Sequence, residues 1–176
     1  MKRLLNTKGL TVLELLLVAL MTSIVAAAGF HFFVRVNQQY ISQEEICEMQ
    51  QNARASLQEL CREVRMAGFN TADTVAAYRI INSGSDPDTI TVNRDTLSIK
   101  YYVDMSDTLH PLLMKSVNGA ADIYADEISD LQINVINPRT LKISITSNSV
   151  KTDDQIMDNK KFKRTLTQVV SLRNLN

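Results

Sequence analysis

Lys8-Gly9-Leu10-Thr11-Val12-Leu13-Glu14-Leu15 opens a run in which no further Asp, Glu, Lys or Arg occurs until Arg35, so Leu15 to Val34 is a 20-residue uncharged stretch. A helix needs about 20 apolar residues to cross a bilayer. The stretch therefore has the length of one membrane-spanning helix, with a single carboxylate, Glu14, at its head. A carboxylate at membrane depth costs roughly 2.5–3.5 kcal/mol on insertion scales, so Glu14 needs a physical reason. Lys2, Arg3 and Lys8 lie before the run. Positive charge stays on the cytoplasmic side, which puts residues 1–9 in the cytoplasm and the C-terminus outside.

The residues around Glu14 supply a reason. Lys8-Gly9-Leu10-Thr11-Val12-Leu13-Glu14-Leu15 resembles the type IV prepilin motif: a basic leader ending in Gly, a hydrophobic residue, and Glu at the fifth mature position. The resemblance implies cleavage between Gly9 and Leu10 by a prepilin peptidase, N-methylation of Leu10, and a docking role for Glu14 in filament assembly. The family usually has Phe as its first mature residue; this chain has Leu10. Physically, a new α-amino group at Leu10 would titrate at about 7.7–8.0 and be mostly cationic at neutral pH. Pairing that amine with Glu14 of a neighbouring helix offsets the cost of two isolated charges in lipid. Such head-to-tail contacts do not close on themselves and generate filaments.

Two other readings of the segment compete. Ala26-Ala27-Ala28 offers a signal-peptidase site before Gly29, and a plain uncut anchor needs no cleavage at all. Against a signal peptide, the apolar run is longer than a usual signal core, carries Glu14 near its start, and continues through Phe30, Phe32 and Phe33 as an interfacial aromatic belt would.

Beyond Arg35 the helical pattern continues. Tyr40, Cys47, Ala53, Leu57, Leu60, Val64 and Ala67 recur at intervals of three, four or more, an apolar stripe. Glu44, Glu45, Glu48, Arg54, Glu59, Arg62 and Arg65 read as mostly a solvated face. No Pro or Gly interrupts Val34 to Ala67, and Gly68 is placed as the helix-terminating residue. Cys47 and Cys61 lie 14 residues apart on this helix, about 21 Å. That excludes a disulfide within the chain and predicts two buried free thiols on one face.

The rest reads as β. Thr89–Val92 and Thr96–Val103 flank a turn at Asn93-Arg94-Asp95. Leu131, Ile133 and Val135 alternate, as do Leu141, Ile143 and Ile145, with Pro138 in the turn between. Phe162, Leu166, Val170 and Leu172 share one parity of the last run. An antiparallel sheet with one apolar face needs cover, and the helix stripe provides it. The expected fold is α+β and pilin-like: a long N-terminal helix packed on an antiparallel sheet. The expected organisation is leader 1–9, membrane or filament-core helix 10–35, amphipathic helix 36–69 and a β-rich head 70–176.

The resemblance narrows within the superfamily. Gln50-Gln51-Asn52-Ala53-Arg54, followed by Leu60-Cys61-Arg62-Glu63-Val64-Arg65-Met66-Ala67-Gly68-Phe69, is similar to a stretch of PilW-type minor pilins and the type II secretion pseudopilin J. Ala125-Asp126-Glu127-Ile128-Ser129-Asp130-Leu131-Gln132, Leu141 to Thr146 and Arg164 to Asn174 resemble later elements of the same proteins. The resemblance implies a minor pilin acting in filament initiation and assembly, with a type II secretion pseudopilin as the alternative. Its partners would be the prepilin peptidase, other minor pilins and the major pilin, and the inner membrane before assembly, with the head in the periplasm. A membrane-anchored periplasmic binding domain is the remaining alternative.

Signals for other chemistry are weak. The chain has 19 basic and 19 acidic residues, and removing the leader's three cations leaves it mildly acidic. The nearest basic run, Lys160 to Arg164, opens a strand-like segment, so no nucleic-acid surface is expected. His31 and His110 have no partner at metal-ligand spacing, and there is no Gly-rich phosphate loop. Acidic pairs at Asp86/Asp88 and Asp104/Asp107, and the group Asp153/Asp154/Asp158, are candidate calcium ligands but match no EF-hand spacing. They read as solvated turns. No catalytic residue, metal or cofactor is expected.

Overall fold

The computed structural model describes residues 11–72, 75–84, 86–108, 110–149 and 162–174. Among the described residues one helix, α1 (Val12–Arg65), is followed by eight strands: β1 (Tyr78–Ile81), β2 (Thr89–Arg94), β3 (Leu97–Asp104), β4 (Leu112–Val117), β5 (Ala120–Asp126), β6 (Ile128–Asn137), β7 (Thr140–Asn148) and β8 (Lys163–Ser171). The chain divides into two units, Met1–Ser42 and Gln43–Asn176. Leader residues Gly9 and Leu10 lie outside the described residues, as do Asp153, Asp154 and Asp158.

In the first unit, the part of α1 from Val12 to Phe33 exposes every large apolar side chain it carries by at least 55 %. None of the described residues covers it. Soluble proteins seldom leave so large a continuous apolar surface bare. Among the described residues α1 is the one helix long and apolar enough to cross a membrane.

The second unit is an α+β head. Residues Gln43 to Arg65 supply its helix, and the strands form two antiparallel sheets, β1-β2-β3-β4-β5 and β6-β7-β8, where the sequence suggested one. The core joins both. Ala53, Leu57, Leu60, Cys61 and Val64 of α1 pack with Ile90, Val92, Ile99 and Tyr101 of β2–β3, Leu113 of β4, and Leu131, Ile133, Leu141, Ile143 and Ile145 of β6–β7. Alternation aligns these residues across strands: Ile90 opposite Tyr101, Val92 opposite Ile99, Leu131 opposite Ile145 and Ile133 opposite Ile143. Each fully buried Leu or Ile contributes about 1.5–3 kcal/mol.

Two members of the expected stripe are not core. Tyr40 and Cys47 are exposed, because burial on α1 begins only at Met49. Cys61 is buried and both thiols are free. Val135 is also exposed, beside a register shift in the β6–β7 pairing. The β2–β3 turn is Asp95-Thr96, slightly later than the expected Asn93-Arg94-Asp95, with Asp95 left-handed at φ 52°.

The helix ends as its sequence requires. Met66 and Ala67 tighten it with i→i−3 bonds to Glu63 and Val64. Gly68 then turns left-handed (φ 78°) and donates its N–H to the Asn93 carbonyl at 2.8 Å. A Cβ there would lie 2.5 Å from the Asn174 carbonyl oxygen, so the glycine is needed on two counts.

Asp88 joins the two sheets. Its N–H donates to the Leu131 carbonyl (2.7 Å), while its carboxylate accepts from the N–H groups of Ile133 (2.7 Å) and Ser83 (3.2 Å). This buried carboxylate thus occupies the edge of β6 with hydrogen bonds a paired strand would otherwise make. Asp88 is therefore not the solvated turn residue that the sequence suggested for the Asp86/Asp88 pair; it is buried and its carboxylate is engaged by backbone N–H groups.

Candidate functional site

Two places carry unusual chemistry: the head of the apolar helix and the seam between helix and sheet in the second unit.

At the first, Thr11 is the N-cap of α1 and Glu14 its third residue. Glu14 N–H donates to Thr11 Oγ1 at 3.3 Å. In return Glu14 Oε2 accepts from the Thr11 N–H (3.1 Å) and the Thr11 hydroxyl (3.3 Å). This reciprocal pair is a capping box. It satisfies donors that a helix entering an apolar medium cannot leave bare, and it places negative charge at the positive end of the helix dipole. Among the described residues only Oε2 is engaged, leaving Oε1 available to a donor from elsewhere. The Thr-x-x-Glu spacing is visible in the sequence and gives Glu14 a local task that docking alone does not anticipate.

The second place is not legible in the sequence. Glu63 sits on the buried face of α1, its side chain 6 % exposed. It meets Arg94 of β2: Arg94 Nη2 donates to Oε1 at 3.2 Å, and Nε approaches Oε2 at 3.0 Å with its N–H pointed off axis. The contact is therefore one directed hydrogen bond plus an ion contact rather than a two-pronged fork. Lys115 of β4 bonds Glu59 at 3.1 Å and stands 3.9 Å from Glu63. Its ammonium lies 5.6 Å and 5.7 Å from the ring centres of Tyr101 and Tyr124, which meet edge to face.

Two carboxylates and two cations thus balance within this seam. Tyr101 is fully buried with no partner for its hydroxyl among the described residues. Burial first, then the Glu63 and Glu59 carboxylates, push its pKa far up; burial and the same two carboxylates also raise Tyr124. Both phenols stay protonated at neutral pH. The seam fixes where the helix lies on the first sheet, since an unpaired charge at either side would be costly. Sequence offers one clue: Glu63 falls three residues after Leu60 and four before Ala67, on the apolar stripe itself.

The other expected positions are dispersed. His31 and His110 are exposed, and His110 pairs with Asp107 at 3.0 Å. Among the described residues no group of three or more His, Cys, Asp or Glu side chains converges as metal ligands would. Comparisons with known protein families, with curated proteins and with solved structures give no match.

Proposed function

We propose that the chain is a filament subunit of the type IV pilin kind, a minor pilin of the PilW type acting in filament initiation and assembly. Residues 1–9 are removed as a leader, Leu10 becomes the methylated N-terminus, and the apolar helix leaves the bilayer for a bundle of neighbouring subunit helices. The observation that carries this reading is the bare apolar surface from Val12 to Phe33, headed by Glu14, on the helix that continues into the α+β head. Such a surface requires either lipid or other apolar helices. Assembly exchanges one for the other. Glu14 then does two things: Oε2 caps its own helix, and Oε1 receives the terminal amine of the adjacent subunit.

Those two roles separate experimentally. Glu14→Gln retains a side chain able to complete the capping box and removes the charge; Glu14→Ala removes both but leaves the Thr11 N-cap in place, at about 0.3–1 kcal/mol. The proposal expects both variants to reach the membrane at wild-type level and to be lost from sheared filaments. If Glu14→Gln enters filaments as well as the parent while Glu14→Ala does not, Glu14 is only a cap. Normal assembly of both would remove the docking role altogether.

A further inference from the structure

Each of the two sheets has two outer strands, and three of the four edges are blunted. β1 is only four residues long. β5 carries a register shift against β4, and its Asp122 Oδ1 accepts the N–H of Ile123 at 2.9 Å. The edge of β6 is taken by Asp88. β8 has none of these devices. It runs nine residues, Lys163–Ser171, with no proline and an unbroken register against β7.

The hydrogen bonds to β7 fix which backbone groups of β8 are spare. Leu172 donates its N–H to the Arg139 carbonyl at 2.8 Å, and the Ser149 N–H donates to the Phe162 carbonyl at 2.9 Å. In an antiparallel pair such bonded positions alternate with unbonded ones. The pairing from Lys163 with Asn148 to Ser171 with Thr140 keeps that parity, so Arg164, Leu166, Gln168 and Val170 bond β7. Lys163, Thr165, Thr167, Val169 and Ser171 therefore turn their N–H and C=O groups outward, and all five residues are exposed. No strand among the described residues pairs with that side. The hydroxyls of Thr165 and Thr167 are already held, at 2.9 Å each, by Thr146 and Ser144 of β7. The edge thus offers main chain, on β-branched residues suited to a strand.

Charge selects what fits there. Residues 139–149 and 162–174 contain Arg139, Lys142, Lys163, Arg164 and Arg173 and no Asp or Glu, in a chain with 19 basic and 19 acidic residues. Lys163 stands at one end of the edge, Arg173 just past the other, and Lys142 directly opposite Val169. A second copy of β8 would bring like charges together in either direction: Lys163 towards the Arg173 end when antiparallel, Lys163 beside Lys163 when parallel.

We propose that the outer edge of β8 is a docking strand for an extended, acidic segment of a different protein. The segment adds to β6-β7-β8 as a further strand, exchanging main-chain hydrogen bonds with Thr165, Thr167 and Val169. Its carboxylates meet Lys163 at one end and Lys142 and Arg173 at the other. The contact lies wholly in the head and does not depend on cleavage before Leu10.

The test is photo-cross-linking of the full chain in its native host. A photoreactive amino acid is placed in turn at Thr165, Thr167 and Val169, and the cross-linked peptides are sequenced by mass spectrometry. Strand addition predicts one acidic segment of another protein, with contacts that shift by about two residues along it at each step. Two variants separate main chain from charge. Thr167→Pro deletes an outward N–H and no bond to β7, which an edge strand tolerates; the cross-link from position 169 should fall about tenfold. Lys163→Glu with Arg164→Glu keeps the main chain and changes only exposed side chains, so folding is not at stake, and the same cross-link should fall. Cross-links to a second copy of this chain, cross-links scattered over unrelated segments, no cross-link, or a cross-link that survives either variant would overturn the proposal.

Discussion

Replacing Arg94 with alanine removes the directed hydrogen bond and the 3.0 Å ion contact that hold the Glu63 carboxylate, whose side chain is 6 % exposed. Breaking a buried pair from one side costs about 3–5 kcal/mol, because the remaining charge stays buried. Lys115 remains 3.9 Å away but is shared with Glu59 at 3.1 Å, which puts the cost at the low end, about 3 kcal/mol. For a protein of this size that corresponds to a fall in Tm of roughly 6–12 °C. Glu63→Met combined with Arg94→Met deletes both charges and their desolvation, and should lie within about 1 kcal/mol of the parent or above it. The assay is thermal unfolding of the full chain in detergent, followed by near-ultraviolet circular dichroism; the chain has five tyrosines and no tryptophan, and Tyr101 and Tyr124 line this seam. If Arg94→Ala leaves Tm within about 2 °C of the parent, or if the double variant falls as far as the single one, the buried pair does not hold helix to sheet as argued.

Glu127 gives a pH-dependent outcome. Burial first, then Glu48, Glu45 and Asp126, raise its pKa, with His110 opposing. A raised carboxyl pKa means the folded state binds its proton more readily than the unfolded chain, so ionised Glu127 costs stability at neutral pH and the cost disappears as pH falls through the raised value. Glu127→Gln should therefore raise Tm at pH 7 and leave it unchanged at pH 4; equal gains at both would refute the cause. The thiols should differ sharply in reactivity. Burial pushes Cys61 up to about 11, while Cys47 is exposed. A maleimide at pH 7 should label one cysteine per folded chain, lost in Cys47→Ser, and two after denaturation.

Much of the architecture is readable because it rests on periodicity. The long helix, the β2–β3 hairpin, and the alternation of β6, β7 and β8 are all written as spacing of apolar residues. The stripe reads too long at Tyr40 and Cys47, because periodicity shows which face is apolar but not how far back the sheets reach, and burial here stops at Met49. Strands β1, β4 and β5 do not figure in the expected fold. Asn118-Gly119, with φ 51° and 93°, joins β4 to β5 as a two-residue turn, the hairpin signal that marks both. The division into two sheets and the Glu63–Arg94 pair depend on long-range contacts, and nothing local to either residue announces the other. The head of the helix is more legible: the charge of Glu14 stands out against the apolar run and the Thr11-x-x-Glu14 spacing marks a capping box, while which carboxylate oxygen closes it emerges from the geometry.

The central claim, a processed filament subunit, is tested most directly by the mature N-terminus, from intact and terminal-fragment mass spectrometry of protein taken from its native host. The account predicts N-methyl-Leu10. A terminus at Gly29, or an intact Met1, would contradict it.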